Sequence, residues 1–182
     1  MKRAIVVVLL LLSATLSLHA QLDPPTRGPQ NARSQLEVFL AFGDEASGHL
    51  AVVLDALAER HPADMRLVFR HVTAGGDAAA ALPHHAALAA QRQGQFWRMA
   101  QLLFANQDRH MREDVIGMAH QLGLDVVRFI IDLDDGSAEV VLRADRDRAA
   151  EVGITGAATV LINGARYTGE RTLQQIEASL NR

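Results

Sequence analysis

The sequence predicts an α/β domain in which a block of helices is inserted between the second and third strands of one sheet. Two observations predict this class. First, a short apolar strand, an amphipathic helix and a second strand follow one another over residues 35–72. Second, only helical patterns follow until another apolar, partly β-branched segment appears at residues 157–163. One sheet covered by helices accounts for this order.

Residues 1–20 are predicted to be a signal peptide. Met1-Lys2-Arg3 precedes an apolar run from Ala4 to Leu18, and Ala20 is a small residue suited to cleavage after it. The run is shorter than the roughly 20 residues that span a bilayer, so a membrane helix is the weaker interpretation. We therefore expect export, to the periplasm or out of the cell, with no membrane span after cleavage.

Residues 21–34 are predicted to be a linker, because QLDPPTRGPQNARS contains three of the five prolines and almost no apolar residue. The remaining segment, residues 35–182, is long enough to bury the core of one domain without disulfides. Within it, the helical insertion is expected at about residues 84–135. The sequence thus predicts a signal peptide, a linker and one folded domain.

Apolar spacing and turn residues locate the individual elements. The first strand, helix and second strand are predicted at Gln35–Phe42, Gly48–Arg60 and Met65–Val72, and residues 73–83 are expected to form a crossover. The later elements are predicted as a helix with an apolar stripe from Phe96 to Phe104, helices at Arg112–Leu122, Asp125–Leu133 and Ser137–Val152, a strand at Ala157–Asn163, a turn at Gly164, a strand at Arg166–Gly169 and a helix at Thr172–Asn181. The charged run Arg143–Arg148 is expected to be the solvated face of the long helix.

The composition excludes several function classes. Cleavage would remove Lys2 and Arg3, leaving 16 arginines against 21 acidic residues and a formal charge of −5. Nucleic acid is therefore not expected as a partner, since phosphate binding requires a basic surface. Lys2 is the only lysine, so the mature chain cannot form a Schiff base with a cofactor of the pyridoxal-phosphate type. The absence of cysteine excludes thiol–disulfide exchange, which requires a thiolate.

Three segments carry a family resemblance. They are Phe39–Ser47 (FLAFGDEAS), Gln93–Gln107 (QGQFWRMAQLLFANQ) and Gly153–Gly164 (GITGAATVLING). The second is similar to the pattern G-x-F-W-x-M-x-x-x-L-F-x-x-Q, and the third to G-V-x-G-T-P-T-x-x-I-N-G, both of the DsbA-like disulfide oxidoreductases. The chain therefore resembles this family of the thioredoxin superfamily over roughly residues 28–181. The resemblance implies a thioredoxin-like fold with an all-helical insertion between its second and third strands.

The cysteine pair of this family is missing. The family pattern F-x-x-F-x-C-x-x-C, aligned on FLAFGDEAS, puts Asp44 and Ser47 on the cysteine positions with Glu45 and Ala46 between them. A one-turn slip would place Ser47 and Leu50 there instead. The first alignment keeps both phenylalanines of the motif in place and is preferred. Neither alignment restores a thiol, so the chain resembles a degenerate member of the family.

The cis-proline of the family is missing as well. The resemblance places Ala158 at the proline position and Ala157 at the threonine before it. A cis peptide bond without proline costs roughly 2.5–4 kcal/mol, so the bond between these alanines is predicted to be trans. The two alanines remain the candidate substrate-binding residues that the resemblance implies.

The remaining polar residues near this motif allow more than one interpretation. Asp44 and Glu45 are either an acid–base pair or, more simply, a helix cap and a dipole partner. Ser47 and His49 as nucleophile and base would point about 200° apart on a helix. His84 and His85 suggest a metal site together with His49 and Asp44, but adjacent helical residues diverge by about 100°, so no metal site is predicted.

The sequence therefore favours an exported protein that has lost oxidoreductase activity and acts as a polypeptide-binding or accessory module, with a partner in the cell envelope and no cofactor. The alternative is an enzyme or metal-binding protein that reuses the helix N-terminus around Asp44, Glu45 and the nearby histidines. A convergence of any two of Asp44, His49, His84 and His85 within ligand distance would favour the alternative.

Overall fold

The structure, a computed structural model, describes residues 23–73 and 78–180. Five strands form one sheet in the order β1-β3-β2-β4-β5. The strands are β1 (Thr26–Arg27), β2 (Ser34–Leu40), β3 (Met65–His71), β4 (Thr159–Ile162) and β5 (Ala165–Arg166). The central pair, β2 and β3, is parallel, and the other pairs are antiparallel.

The helices in the described part of the chain are α1 (Glu45–Arg60), α2 (Ala78–Gln91), α3 (Phe96–Ala105), α4 (Arg112–Gln121), α5 (Val126–Asp134), α6 (Ser137–Glu151) and α7 (Leu173–Leu180). Five of them, α2 to α6, lie between β3 and β4 in the chain. This order confirms the predicted α/β class with its helical insertion. The signal peptide predicted at residues 1–20 lies outside the described residues. Over residues 23–73 and 78–180, none of the helices has the length and hydrophobicity to cross a membrane.

The two faces of the sheet are packed differently. Successive residues of a strand point to opposite faces. Leu36, Val38 and Leu40 of β2 belong to the main core, to which α1, α3 and α7 also contribute. Phe39 belongs to a smaller cluster with Ile154, on the face that α6 covers. The larger core therefore lies on the side of the sheet where α1 begins.

The segment predicted as a linker, residues 21–34, contains the paired strand β1. Thr26 lies opposite Val68 of β3, and the Trp97 indole Nε1 donates to the Thr26 carbonyl at 3.4 Å. The Arg27 guanidinium carbon lies 4.9 Å from the centre of the Trp97 ring. Prolines are compatible with such a short edge strand, which explains why proline content alone did not reveal it.

Two helices begin earlier than predicted. α1 starts at Glu45, because Asp44 supplies an N-cap to its first turn. α2 starts at Ala78 and continues through Pro83, so the crossover predicted over residues 73–83 is wrong at its C-terminal end. Alanine has the highest helix propensity, and the run of four alanines before Leu82 offsets the proline within the second turn.

The charged run Arg143–Arg148 on α6 was predicted to be solvated, and the prediction is wrong for two of its residues. Asp145 is buried and accepts hydrogen bonds from the His71 amide at 2.8 Å and from Arg70 at 3.0 Å. Arg148 donates to both carboxylate oxygens of Glu37, at 3.1 and 2.9 Å. Burial acts to raise the pKa of Glu37, but hydrogen bonds from Arg148 and Arg70 hold that pKa below its usual value. Partly buried ion pairs between buried carboxylates and half-buried arginines thus stabilise this face of the sheet.

Candidate functional site

The first turn of α1 is the segment that the sequence aligns with the family's cysteine motif, and its polar groups bond to one another. Asp44 has an extended backbone, and its Oδ2 accepts from the Ser47 amide at 2.7 Å. The Ser47 hydroxyl donates to the same oxygen at 2.7 Å and accepts from the Ala41 amide at 3.2 Å. Ser47 is fully buried. Its hydroxyl therefore serves as a structural link and is not presented to solvent as a nucleophile.

The neighbouring residues of this turn face outward. Glu45, Ala46 and His49 are exposed. Glu45 lies in the first turn, where a negative charge stabilises the positive end of the helix dipole. The hydrogen bonds of Ser47 go to Asp44 and Ala41 and not to His49. The structure thus supports the cap interpretation of Asp44 and does not assemble a serine–histidine pair.

Gln107 also builds this site, although it was not among the candidate site residues predicted from the sequence. Its side-chain Nε2 donates to the carbonyl of Phe42 at 2.7 Å and to that of Asp44 at 2.9 Å. A Cβ atom at Gly48 would meet Gln107 Oε1 at 3.0 Å, so glycine at this position allows the close approach. The available signal was the glutamine that ends the motif Gln93–Gln107. Gln107 ties the helical insertion to the turn before α1.

The loop before β4 forms the second half of the site. β4 pairs with β2 so that Thr159 lies opposite Phe39, and continuing this antiparallel register puts Ala158 beside Leu40. No peptide bond in the described residues is cis, which confirms the predicted trans bond before Ala158. Ala158 has a positive φ of 54°, in the left-handed region, and its side chain is buried in the main core. Ala157 is half-buried.

Two buried histidines lie behind the first turn of α1. Nδ1 of His71 and Nδ1 of His84 are 2.8 Å apart, and the His84 ring packs on Phe42 with centroids separated by 4.8 Å. Burial lowers the pKa of His84 to about 3 and that of His71 well below its usual value, so both rings are neutral. Nδ1 of one ring must therefore donate to Nδ1 of the other.

The hydrogen-bond pattern assigns the shared proton. His71 Nε2 is buried and has no hydrogen-bond partner. If His84 donated, this atom would carry an orphaned N–H, whereas donation by His71 leaves it only an unused lone pair. Buried orphaned N–H groups are rarer than unsatisfied acceptors. The favoured tautomers therefore have the proton on His71 Nδ1 and an N–H at His84 Nε2.

A cleft of about 270 Å³ opens beside these groups. The residues that line it include Ala41, Gly43, Asp44, Val72, Pro83, His84 and His110. His85 points elsewhere and contacts Glu139 at 3.0 Å, because it lies one helical step from His84. In the part of the chain that the structure describes, no group of three or more histidine, aspartate or glutamate side chains has the geometry of a metal site. Asp44 and His84 share the cleft, while His49 and His85 are not brought to it.

Solved structures with this fold are thioredoxin-like. A thioredoxin-like oxidoreductase from Silicibacter pomeroyi DSS-3 has a TM-score of 0.77 at 19% identity, covering 87% of this chain and 91% of that one. Oxidised BdbD from Bacillus subtilis has a TM-score of 0.76 at 15% identity, covering 87% and 91%. A periplasmic thioredoxin-like protein from Salmonella enterica serovar Typhimurium has a TM-score of 0.74 at 19% identity, covering 87% and 88%. These similarities establish the fold.

The curated relatives are much longer than this chain. The Na(+)/H(+) antiporter NhaA of Herminiimonas arsenicoxydans is 34% identical over an alignment of 183 positions, gaps included, which covers 91% of this chain and 28% of the antiporter. The Na(+)/H(+) antiporter NhaA 3 of Salinispora tropica is 29% identical over 155 residues, or 85% of this chain and 24% of the antiporter. The chain thus spans about a quarter of the length of these relatives.

The match to a known family covers most of the sequence. Residues 18–181 match the DSBA-like thioredoxin domain. The match includes the capped turn at Asp44 and the loop at Ala158, and the chain contains no cysteine. The chain belongs to the DSBA-like thioredoxin domain family, as a degenerate member without its redox site.

Proposed function

We propose that this protein is a redox-inactive, exported module that binds a polypeptide segment of a membrane protein in the cell envelope. The absence of cysteine supports the loss of redox chemistry above all, and the hydrogen bonds at the start of α1 agree with it. The α1 N-terminus, which stabilises a thiolate in active thioredoxin-like proteins, is here closed by the hydrogen bonds among Asp44, Ser47 and Ala41. The purified protein should neither reduce insulin nor oxidise a dithiol peptide above background.

The class of partner is suggested by the curated relatives. In the Herminiimonas arsenicoxydans antiporter the matching region makes up 28% of the protein, so a domain of this kind occurs within a transporter chain. A domain of this kind can serve an integral membrane protein by binding one of its exposed segments. The surface proposed for this contact comprises the cleft beside Asp44 and the loop at Ala157 and Ala158.

Export is part of the same proposal. The pattern of residues 1–20 supports it, and one neighbour of known structure is described as periplasmic. Fusing residues 1–20 to alkaline phosphatase, which is active only after export, tests it directly. Enzyme activity in the fusion and none in a version lacking these residues is the expected result. An inactive fusion that is nevertheless expressed would contradict export.

Site-specific photo-crosslinking in cells tests the binding surface. Ala46 on the helix side and Thr155 on the loop side are exposed, so each can carry a photoreactive residue without disturbing the core. Exposed Arg146 on α6, on the opposite side of the sheet, is the matched control. We expect the same membrane protein to be captured from Ala46 and Thr155 but not from Arg146. Equal capture from all three positions, or capture from none, would reject the proposed surface.

A further inference from the structure

An apolar cavity lies between α1, α3 and the inner face of the sheet, separate from the capped turn. Its volume is about 210 Å³. Val38, Leu40, Leu67 and Phe69 of the sheet form its floor, and Trp97 and Phe104 of α3 form one wall. Val52, also in the lining, is 71% exposed, so the cavity opens to solvent between the two helices.

Small side chains create this cavity. Ala51 on α1 and Ala100 and Ala105 on α3 line it where the two helices face each other. Protein interiors are normally close-packed, because unfilled apolar space loses dispersion contacts and destabilises the fold. Larger side chains on either helix would remove the space without new chemistry. A bound molecule that supplies the missing contacts explains why the cavity is retained.

The polar groups at the mouth specify what kind of occupant fits. Asp55 is the one charged residue among those that line the cavity in the described chain. Its Oδ1 accepts from Arg27 at 2.8 Å and its Oδ2 from Gln101 at 2.9 Å. Arg27 in turn stacks on Trp97. Because both oxygens of the Asp55 carboxylate are already paired, the lining offers no free charge and favours a neutral ligand.

We propose that this cavity binds a small, neutral, apolar molecule, about the size of one aromatic ring with a short substituent. An engineered apolar cavity of about 150 Å³ in another protein stays dry and takes up benzene, so the space found here is sufficient. Neutrality follows from the satisfied Asp55 carboxylate. The proposal does not depend on polypeptide binding at the capped turn, because the residues of the two sites differ apart from the α1 backbone near Gly48.

Trp97 provides a direct measurement, because it is the only tryptophan in the chain. Bromobenzene is the probe: it is neutral and apolar, and its heavy atom quenches indole fluorescence at contact. We expect quenching of the purified protein that saturates with concentration, together with a rise in melting temperature, since a ligand of the native state stabilises it. Quenching that only increases linearly, as free collisions in solution produce, would overturn the proposal.

Filling the cavity supplies the matched variants. Ala100→Leu, at a buried position, and Ala51→Leu, at a half-buried one, should each lose the saturable quenching while remaining folded by circular dichroism. Two variants are used so that a failure of one to fold leaves the other to decide. Ala58→Leu, on α1 but outside the lining, should bind like the wild type.

Two outcomes would contradict the proposal. Saturable quenching that persists in a folded Ala51→Leu or Ala100→Leu would place the bromobenzene elsewhere and reject the cavity as its site. Loss of polypeptide crosslinking in a cavity variant would show that the cavity serves that surface instead.

Discussion

The two halves of the segment pair that aligns with the family's redox site are built differently. On the helix side, the distinguishing feature is side-chain chemistry: Asp44 and Ser47, which the sequence aligns with the cysteines, bond to each other at 2.7 Å within a helix start of ordinary geometry. On the loop side, the distinguishing feature is the backbone: Ala158, which the sequence aligns with the cis-proline, adopts a left-handed conformation after a trans bond. The helix half thus depends on replaceable side chains, whereas the loop half depends on a backbone conformation that few residues adopt.

This difference indicates which half is easier to reverse. A helix N-terminus accepts many side chains, because its cap depends on one or two hydrogen bonds. A positive φ at Ala158, by contrast, restricts which residues fit that position, because side chains other than glycine are strained there. Replacements at Asp44 should therefore lower the free energy of unfolding only slightly, whereas proline at position 158 should lower it much more.

The largest effect is expected from Ala158→Pro. The proline ring fixes φ near −65°, whereas the native φ at this position is 54°, so the loop must rebuild or the protein must unfold. We expect the free energy of unfolding in urea to fall by about 3 kcal/mol or more.

Ala158→Gly is its matched control. Glycine adopts positive φ without strain but removes one buried methyl group, so the two effects should nearly cancel. If the proline variant is as stable as the glycine variant, the loop switches its conformation readily and the contrast between the two halves disappears.

The second prediction concerns the histidines behind the helix half. Because the folded-state pKa of His84 is about 3 and the unfolded value is near 6.5, the unfolded chain binds the proton first as the pH falls. The contribution of His84 to the free energy of unfolding is therefore fully present above pH 6.5 and decreases as the pH falls from 6.5 toward 3. His84 contributes a slope of up to about 1.4 kcal/mol per pH unit, or about 2 kcal/mol between pH 6.5 and 5, and the lowered pKa of His71 acts in the same direction.

Removing both rings tests this origin of the pH dependence. In a variant with His71→Leu and His84→Leu, no buried polar group is left unpaired, so stability at pH 7 should change little. The urea midpoint of the double variant should stay nearly flat between pH 6.5 and 5. An equally steep decrease in both proteins would assign the pH dependence to other groups.

The sequence predicted the fold well, because most elements are defined by local apolar spacing. The α/β order, the helical insertion and the final helix follow from such patterns together with the motif Gln93–Gln107. The start of α1 was predicted three residues late, at Gly48, because apolar spacing begins only at Leu50. The cap interpretation of Asp44, also drawn from the sequence, indicated the observed start at Glu45 and was the better signal for that boundary.

Features that depend on distant partners could not be predicted. Asp145 was assigned to a solvated face because its bonding partner Arg70 is 75 positions away, and nothing near Asp145 in the chain indicates burial. The His71–His84 contact joins a strand to a helix across 13 residues. The left-handed conformation of Ala158 likewise lacks a local signal, since alanine is not favoured there. The trans bond was predictable because it depends on the absence of proline alone.

The third prediction tests the helix half on its own. Asp44→Ala removes the acceptor for the Ser47 amide and hydroxyl, and should reduce the free energy of unfolding by about 1 kcal/mol. Asp44→Asn keeps a capping oxygen without the charge and should recover most of that loss. Urea unfolding of the three proteins at pH 7 measures both differences. If both variants are more stable than the wild type, Asp44 is held in place at a cost to folding, which would favour a catalytic or ligand-binding role instead.

The last prediction restores the cysteine pair. With Asp44→Cys and Ser47→Cys, the two sulfurs take the places of the Asp44 Cγ and the Ser47 Oγ. Because the Ser47 hydroxyl bonds to the Asp44 carboxylate at 2.7 Å, the two side chains already face each other, and an intramolecular disulfide should form under mild oxidation. Mass spectrometry before and after thiol alkylation detects it. Ser47→Cys with Leu50→Cys is the control for the slipped alignment. Leu50 is buried in the core, so this pair should crosslink poorly, and the reverse outcome would show that the alignment on Asp44 is wrong.

Activity of the restored pair then separates the two halves of the site. The Asp44→Cys, Ser47→Cys protein has the thiols and the helix N-terminus that lower a thiolate pKa, but its loop still carries Ala158 with a positive φ. If both halves are required, it should form its disulfide yet reduce insulin barely faster than the wild type. Turnover approaching that of an active family member would show that the helix half suffices, and the altered loop would then have to serve the bound partner and not the chemistry.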